Sequence, residues 1–221
     1  MLNLFSQILD AVFPPYCVSC SQFGSWFCLT CCESMTLFLT NRELPPDSLL
    51  DANLSIGPYR DPRIRSLVTS LKFRSGTCVA TSIRDVFRWW KDHRVHALPW
   101  GGMHDVVITW VPTDPRRAEM RGFDHAEIIA QAFQQELAPW MPLVRLLERS
   151  ASRDPQSELP DDLRKANMHN IFQIIPGVQI PRCIILIDDV VTTGSTAESV
   201  ARELKRRGVK TVFLCTLASG R

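Results

Sequence analysis

The residues from Ile184 to Thr196 read Ile-Ile-Leu-Ile-Asp-Asp-Val-Val-Thr-Thr-Gly-Ser-Thr. An apolar run ends in two adjacent acids, and a turn of small, hydroxylated residues leads into a helix-forming stretch. Each part has a chemical use. Thr192, Thr193, Gly194, Ser195 and Thr196 let backbone N–H groups approach an anion closely, with side-chain hydroxyls as further donors. The start of the following helix adds partial positive charge, so the turn suits a phosphate. Asp188 and Asp189 repel a phosphate but accept hydrogen bonds from ribose hydroxyls, directly or around a Mg²⁺ ion. Val190 and Val191 join the two halves. In an open sheet such a site belongs at the carboxyl end of a strand.

A second constellation lies near the start of the chain. Five of the eight cysteines fall between Cys17 and Cys32. Cys17-x-x-Cys20 and Cys28-x-x-Cys31 are two paired-thiol turns separated by seven residues. Two such turns complete a tetrahedron around Zn²⁺. Cys32 is the odd one out, although it could replace Cys31 as the fourth ligand. The competing use is disulfide formation, which a reducing compartment disfavours. A four-thiolate site leaves no open position for catalysis, so its role is structural. A stretch of about 25 residues buries too little to fold without such a staple. Phe23, Trp26 and Phe27 either pack on the module or stack on nucleic-acid bases. Cys78, Cys183 and Cys215 sit in apolar surroundings and read as core residues.

The elements that must position these groups follow from periodicity. Cys183–Ile187 reads as a buried strand, Thr196–Arg207 as a helix with Gly208 as its C-cap, and Thr211–Leu217 as a last strand. Upstream, Asn53–Tyr59 reads as a strand. Asp61–Phe73 and Thr77–Lys91 read as helices, His104–Val111 as a buried strand stopped by Pro112, Phe123–Leu137 as a helix and Leu143–Leu147 as a strand. The polar segment 148–170 reads as a mobile loop. Strands alternate with helices beyond about residue 100, which argues for a parallel sheet covered on both faces. Thr40–Ser48, with its paired prolines, reads as a linker. The expected organisation is therefore an N-terminal helix and cysteine module over 1–40, followed by an α/β domain over 41–221.

Whole-chain properties set limits. The 221 residues are 45% hydrophobic and 22% charged, ordinary for a chain with a real core. The net charge of +2 imposes no global nucleic-acid-binding field. Basic clusters are local: Arg116, Arg117 and Arg121, then Arg202, Lys205, Arg206, Arg207 and Lys210, the latter reading as a solvated helix face. No apolar run reaches the roughly 18 residues that cross a bilayer. Met1–Phe13 has helical apolar spacing, carries Asp10, and has neither a cationic leader nor a small-residue cleavage site. It reads as an amphipathic helix rather than a signal peptide, which points to the cytoplasm.

The segment from Ile184 to Thr196 closely resembles the 5-phosphoribosyl-1-pyrophosphate (PRPP) motif of type I phosphoribosyltransferases. That resemblance implies that Asp188 and Asp189 hold the ribose 2- and 3-hydroxyls while Thr192–Thr196 holds the 5-phosphate. Further segments narrow the likeness: Leu71-Lys72-Phe73, Val111-Pro112-Thr113-Asp114-Pro115-Arg116-Arg117, Met120-Arg121-Gly122-Phe123-Asp124-His125-Ala126, then Gln156, Leu159, Arg164, Asn167 and Phe172. With the cysteine cluster, these resemble the ComF family, including ComFC of DNA-uptake systems and GntX-type relatives, from about Cys17 to the C-terminus. One departure is visible, since the family usually has Asn-Gln where this chain has Asp124-His125.

The resemblance implies a type I phosphoribosyltransferase fold with a small Cys₄ zinc module. It places the pyrophosphate loop after the strand His104–Val111, with Arg116 or Arg117 as a planar donor to phosphate and Lys72 as a further cation. The segment 149–170 corresponds to a flap closing over ligand, with Arg164 and Asn167 contributing. The implied biology is natural transformation, in which the protein handles incoming single-stranded DNA in the cytoplasm, with a helicase-like partner. Phosphoribosyl transfer to a small acceptor and non-catalytic sensing of PRPP are the alternatives. No residue stands out as acid or base for an acceptor, and no helix-turn-helix of a regulator is visible.

Overall fold

A computed structural model of the chain describes residues 15–35, 40–41, 44–73, 76–94, 99–150 and 171–220. Its elements, in chain order, are α1 (Leu29–Ser34), β1 (Thr40–Asn41), β2 (Ala52–Pro58), α2 (Pro62–Phe73), α3 (Gly76–Arg94), β3 (Val106–Trp110), α4 (Pro115–Arg121), α5 (His125–Leu137), β4 (Leu147–Arg149), β5 (Phe172–Ile174), β6 (Cys183–Val191), α6 (Ser195–Arg206) and β7 (Thr211–Ser219). The main sheet has the order β1-β2-β7-β6-β3. Strand pairs β2–β7, β7–β6 and β6–β3 are parallel, and only the two-residue β1 runs antiparallel at the edge.

The side-chain alternation of a strand explains how the sheet is covered. Ile185, Ile187, Phe213 and Cys215 face one apolar cluster with Leu67 and Leu71 of α2, Ile83 and Val86 of α3, and Ile129 and Phe133 of α5. Ile184, Leu186, Val212 and Leu214 face the other, with Val200 and Leu204 of α6 and the β4–β5 hairpin residues Leu147, Phe172 and Ile174. This is the parallel sheet flanked by helices that the sequence pattern predicts. Cys17, Phe27, Cys28, Cys31 and Cys32 belong to the first of these clusters, so the cysteine module shares a core with the larger α/β unit.

Several expectations are refined. Strand β6 does not stop at Ile187 but carries Asp188, Asp189, Val190 and Val191 in the ladder, because β7 extends to Ser219 and pairs Asp188 with Thr216, Val190 with Ala218 and Val191 with Ser219. Helix α6 begins at Ser195, one residue early, and Arg207 caps its end, with Gly208 at φ +102° beyond it. The strand expected over Leu143–Leu147 is only a bridge from Leu143 to Ile108, since the Leu146 N–H turns to the Thr109 hydroxyl instead of a backbone carbonyl. Only the start of the expected loop is corrected: Glu148 and Arg149 belong to β4, which pairs antiparallel with β5 beyond the loop, Arg149 opposite Phe172, and residues 151–170 lie outside the described residues. Helix α4 went unread as a helix although its signals are local: Asp114 caps it, Pro115 opens it and Gly122 closes it at φ +77°. The expected N-terminal helix and residues Arg164 and Asn167 lie outside the described residues. Among the described residues, no helix is long and apolar enough to cross a membrane.

Candidate functional site

Strands β3 and β6 lie side by side and parallel, so the segments that follow them emerge together. From β6 the chain passes through Asp188 and Asp189 into the turn Thr192–Gly194 and helix α6. From β3 it passes through Pro112–Asp114 into α4 and α5. Between these two exits lies a polar cavity of ≈ 270 Å³. Its walls include Asp188, Asp189 and Thr196 on one side and Thr113, Asp114 and Arg117 on the other.

The turn itself forms a second, smaller recess, lined by Val190, Val191, Thr192, Thr193, Gly194, Ser195, Thr196 and Ala197. Gly194 sits at φ +84°, a left-handed conformation that a side chain would strain, and it occupies the cap position of α6 without a side chain of its own to bond the first helical turn, where the Ser195 N–H points at Thr193 Oγ1 at 3.4 Å. Thr193 Oγ1 lies 3.1 Å from Ser195 Oγ, so two hydroxyls converge at the helix start. Hydroxyls and first-turn N–H groups together make an anion cradle.

The acids are held rather than floppy. Asp188 Oδ1 accepts from the Asp189 N–H at 2.9 Å, and Asp189 Oδ1 accepts from the Val190 N–H at 2.7 Å. Burial, and then the like charge of Asp189 beside it, push the Asp188 carboxyl well above the usual carboxylate range, while the Asp189 backbone N–H pulls the other way. A group in this state gains from a hydroxyl donor or a cation, which fits the carboxylate-only donor set to a ribose with or without Mg²⁺.

Of the cationic candidates, Arg117 lines the cavity and Arg116 does not. Neighbouring helical residues point about 100° apart, and the docking of α4 turns Arg117 rather than Arg116 toward the cavity. Lys72 falls in the last turn of α2, and its side chain lies outside the described residues. Among the lining residues not assigned to the site from sequence are Arg121, Arg149 and His125. Arg121 is one helical turn beyond Arg117, a spacing that could have indicated it. Arg149 reaches the cavity from β4, with its guanidinium 5.4 Å from the Phe172 ring centre. His125 sits at the first position of α5, with Nε2 3.4 Å from Asp189 Oδ2.

At the other end of the chain, the Sγ atoms of Cys17, Cys20, Cys28 and Cys31 all lie within 4.8 Å of one another. Cys17 and Cys31 are 3.7 Å apart and Cys20 and Cys28 3.5 Å. The edge of a tetrahedron with 2.3 Å metal–sulfur bonds is about 3.8 Å, so the cluster fits a metal. Cys32 is not part of it. It is buried in the core, and burial raises its thiol to about 12. Within the cluster burial likewise raises the Cys28 and Cys31 thiols, whereas at Cys17 the N–H groups of Cys28, Cys20 and Ser19 outweigh burial and hold the thiol at about 6. Phe27 is buried in the core, whereas Phe23 is exposed and makes an edge-to-face pair with Tyr16.

No family model matches the chain. Comparison with curated proteins gives 31% identity over 164 residues to the DNA utilization protein YhgH of Salmonella typhi, covering 72% of this chain and 68% of that protein. The chain belongs to the ComF family. Its likeness to Competence protein F of Haemophilus influenzae is 26% over 214 residues, covering 92% of this chain and 84% of the relative. Competence protein ComFC of Streptococcus pneumoniae is 34% identical over 102 residues, covering 46% and 43%. Among solved structures, the allosteric regulatory enzyme of purine biosynthesis matches with a TM-score of 0.41 and 18% identity, over 62% of this chain and 26% of that one. That score is too low to carry the fold; the parallel strand order does so for this ComF protein. Against the usual Asn-Gln of ComF proteins, Asp124 acts purely as an acceptor here, taking the Ala126 N–H as the cap of α5 and both the N–H and hydroxyl of Thr113.

Proposed function

We propose that this ComF protein binds PRPP, or a closely related ribose phosphate, and works in DNA uptake on incoming single-stranded DNA in the cytoplasm. The observation that carries the reading is the juxtaposition of the acid pair Asp188–Asp189 with the hydroxyl-rich turn Thr192–Thr196 across a cavity whose far wall carries Arg117, Arg121 and Arg149. The turn suits the 5-phosphate, the acids suit the ribose hydroxyls, and the arginines suit a pyrophosphate group. In that pose the arginines face the bond from ribose C1 to pyrophosphate, where negative charge grows on the leaving group if the bond breaks. Bound Mg²⁺ would neutralise pyrophosphate charge, and Asp188 or Asp189 would hold it.

Cys17, Cys20, Cys28 and Cys31 would hold a structural Zn²⁺. The exposed pair Tyr16 and Phe23 on that module offers aromatic faces of the kind on which unpaired bases stack. The names DNA utilization protein and competence protein borne by relatives support the biology, and a helicase-like partner would deliver the strand.

The experiment is calorimetric titration of PRPP with Mg²⁺ into pure protein, with and without short single-stranded DNA. Binding that changes when DNA is present supports the DNA-handling role. Binding indifferent to DNA favours transfer to a small acceptor or PRPP sensing, and no binding refutes the site.

A further inference from the structure

The β4–β5 hairpin turns one face inward. Leu147 and Ile174 oppose each other on that face and are buried, while the next pair, Glu148 and Gln173, is exposed on the other. The same alternation puts Arg149 and its cross-strand partner Phe172 back on the inward face. An apolar residue is what position 149 calls for. An arginine stands there instead, beside the apolar cluster that holds Phe172 and on the wall of the polar cavity.

A guanidinium drawn out of water needs a partner. Among the described residues no carboxylate pairs with Arg149, and its buried Nε has no hydrogen-bond partner. What lies against it is the Phe172 ring, whose centre is 5.4 Å from Cζ. The ring is buried with Leu147, Ile174, Val200 and Leu204, so its own packing fixes it. Its electron-rich face attracts the cation. This anchor differs from a salt bridge in its consequence. A carboxylate would neutralise the arginine and occupy its donors, and a ligand would have to displace it. A ring fixes the group and leaves its charge and its Nη donors for an anion.

We propose that Phe172 is a positioning residue that holds Arg149 in place for the pyrophosphate group of the ligand. The proposal rests on the ribose-phosphate reading above. It divides the ligand between elements: the acids and turn after β6 take the ribose phosphate, and the hairpin presents a cation to the pyrophosphate.

The test separates the two halves by ligand. Ribose 5-phosphate probes the acids and turn alone, and PRPP with Mg²⁺ probes them together with the arginines. By calorimetry, F172L is expected to weaken PRPP about fivefold while ribose 5-phosphate affinity stays within about twofold. R149A is expected to weaken PRPP about tenfold, and R149A/F172L no further, because the ring acts only through the arginine. Should F172L fail to fold, ¹H NMR of the unaltered protein decides. The Arg149 side-chain protons are expected to carry upfield ring-current shifts that persist when inorganic pyrophosphate with Mg²⁺ is added. Unchanged PRPP affinity in F172L, equal loss for both ligands, additive losses in the double variant, or ring-current shifts that vanish with pyrophosphate would each overturn the positioning role. Absence of binding of both PRPP and ribose 5-phosphate by the unaltered protein would instead overturn the parent reading, a result distinct from any of these.

Discussion

Thr113 is tied to Asp124 twice: its N–H donates to Oδ2 at 3.0 Å and its hydroxyl to Oδ1 at 2.8 Å. One carboxylate therefore joins the chain leaving β3 to the start of α5 and so sets the width of the cavity between Thr113 and the acids of β6. The same carboxylate caps α5 through the Ala126 N–H. Replacing Asp124 by Ala removes a cap and two further bonds, for an expected loss of roughly 1–3 kcal/mol. The check is the urea midpoint. An unshifted midpoint would mean that the loop is held by something else.

Asp188 should trade stability for binding. Its raised carboxyl means that the folded protein favours the neutral form, whereas the unfolded chain ionises near the ordinary value of 3.8. The resulting penalty is absent at pH below that value and grows as pH rises through the interval between the two states. D188N should therefore melt higher than the unaltered protein at pH 8, by some 2–4 °C for each kcal/mol relieved, and show little gain near pH 3.5. Combined with D189N it should abolish PRPP binding. An equal or lower melting temperature at pH 8 would contradict the burial argument.

The two arginines that sequence left equivalent should separate. R117A is expected to weaken PRPP about tenfold, since Arg117 lines the cavity, while R116A should stay within about twofold. Calorimetry on both variants decides this, and equal losses would show that helix α4 presents both guanidinium groups to ligand.

Cys31 and Cys32 should likewise differ. Metal analysis of reduced protein is expected to find one zinc per chain, kept in C32A and lost in C31A, because only Cys31 belongs to the four-thiol cluster. Because the cysteines share a core with α3, chelation should lower the melting temperature of the whole protein and not of the module alone. Zinc retained by C31A would move the fourth ligand to Cys32.

What the sequence determined by itself was contiguous. The run from Ile184 to Thr196 carries strand, acids, turn and helix start within one stretch, so its chemistry can be read from residue order, and the paired Cys-x-x-Cys turns are legible for the same reason. The alternation of apolar segments was enough to call for a parallel sheet covered on both faces. What only the tertiary structure decided was convergence between distant segments. Arg149 and His125 reach Asp189's cavity from separate elements, and their proximity depends on β3 lying beside β6 and on Asp124 closing the loop between β3 and α5. Strand β6 ran past Ile187 because a partner strand was there to accept it, an influence from residues about 30 positions downstream. The choice of Arg117 over Arg116 and of Cys31 over Cys32 came from helix rotation. Adjacent residues on a helix point about 100° apart, and which one meets the site is set by how the helix docks.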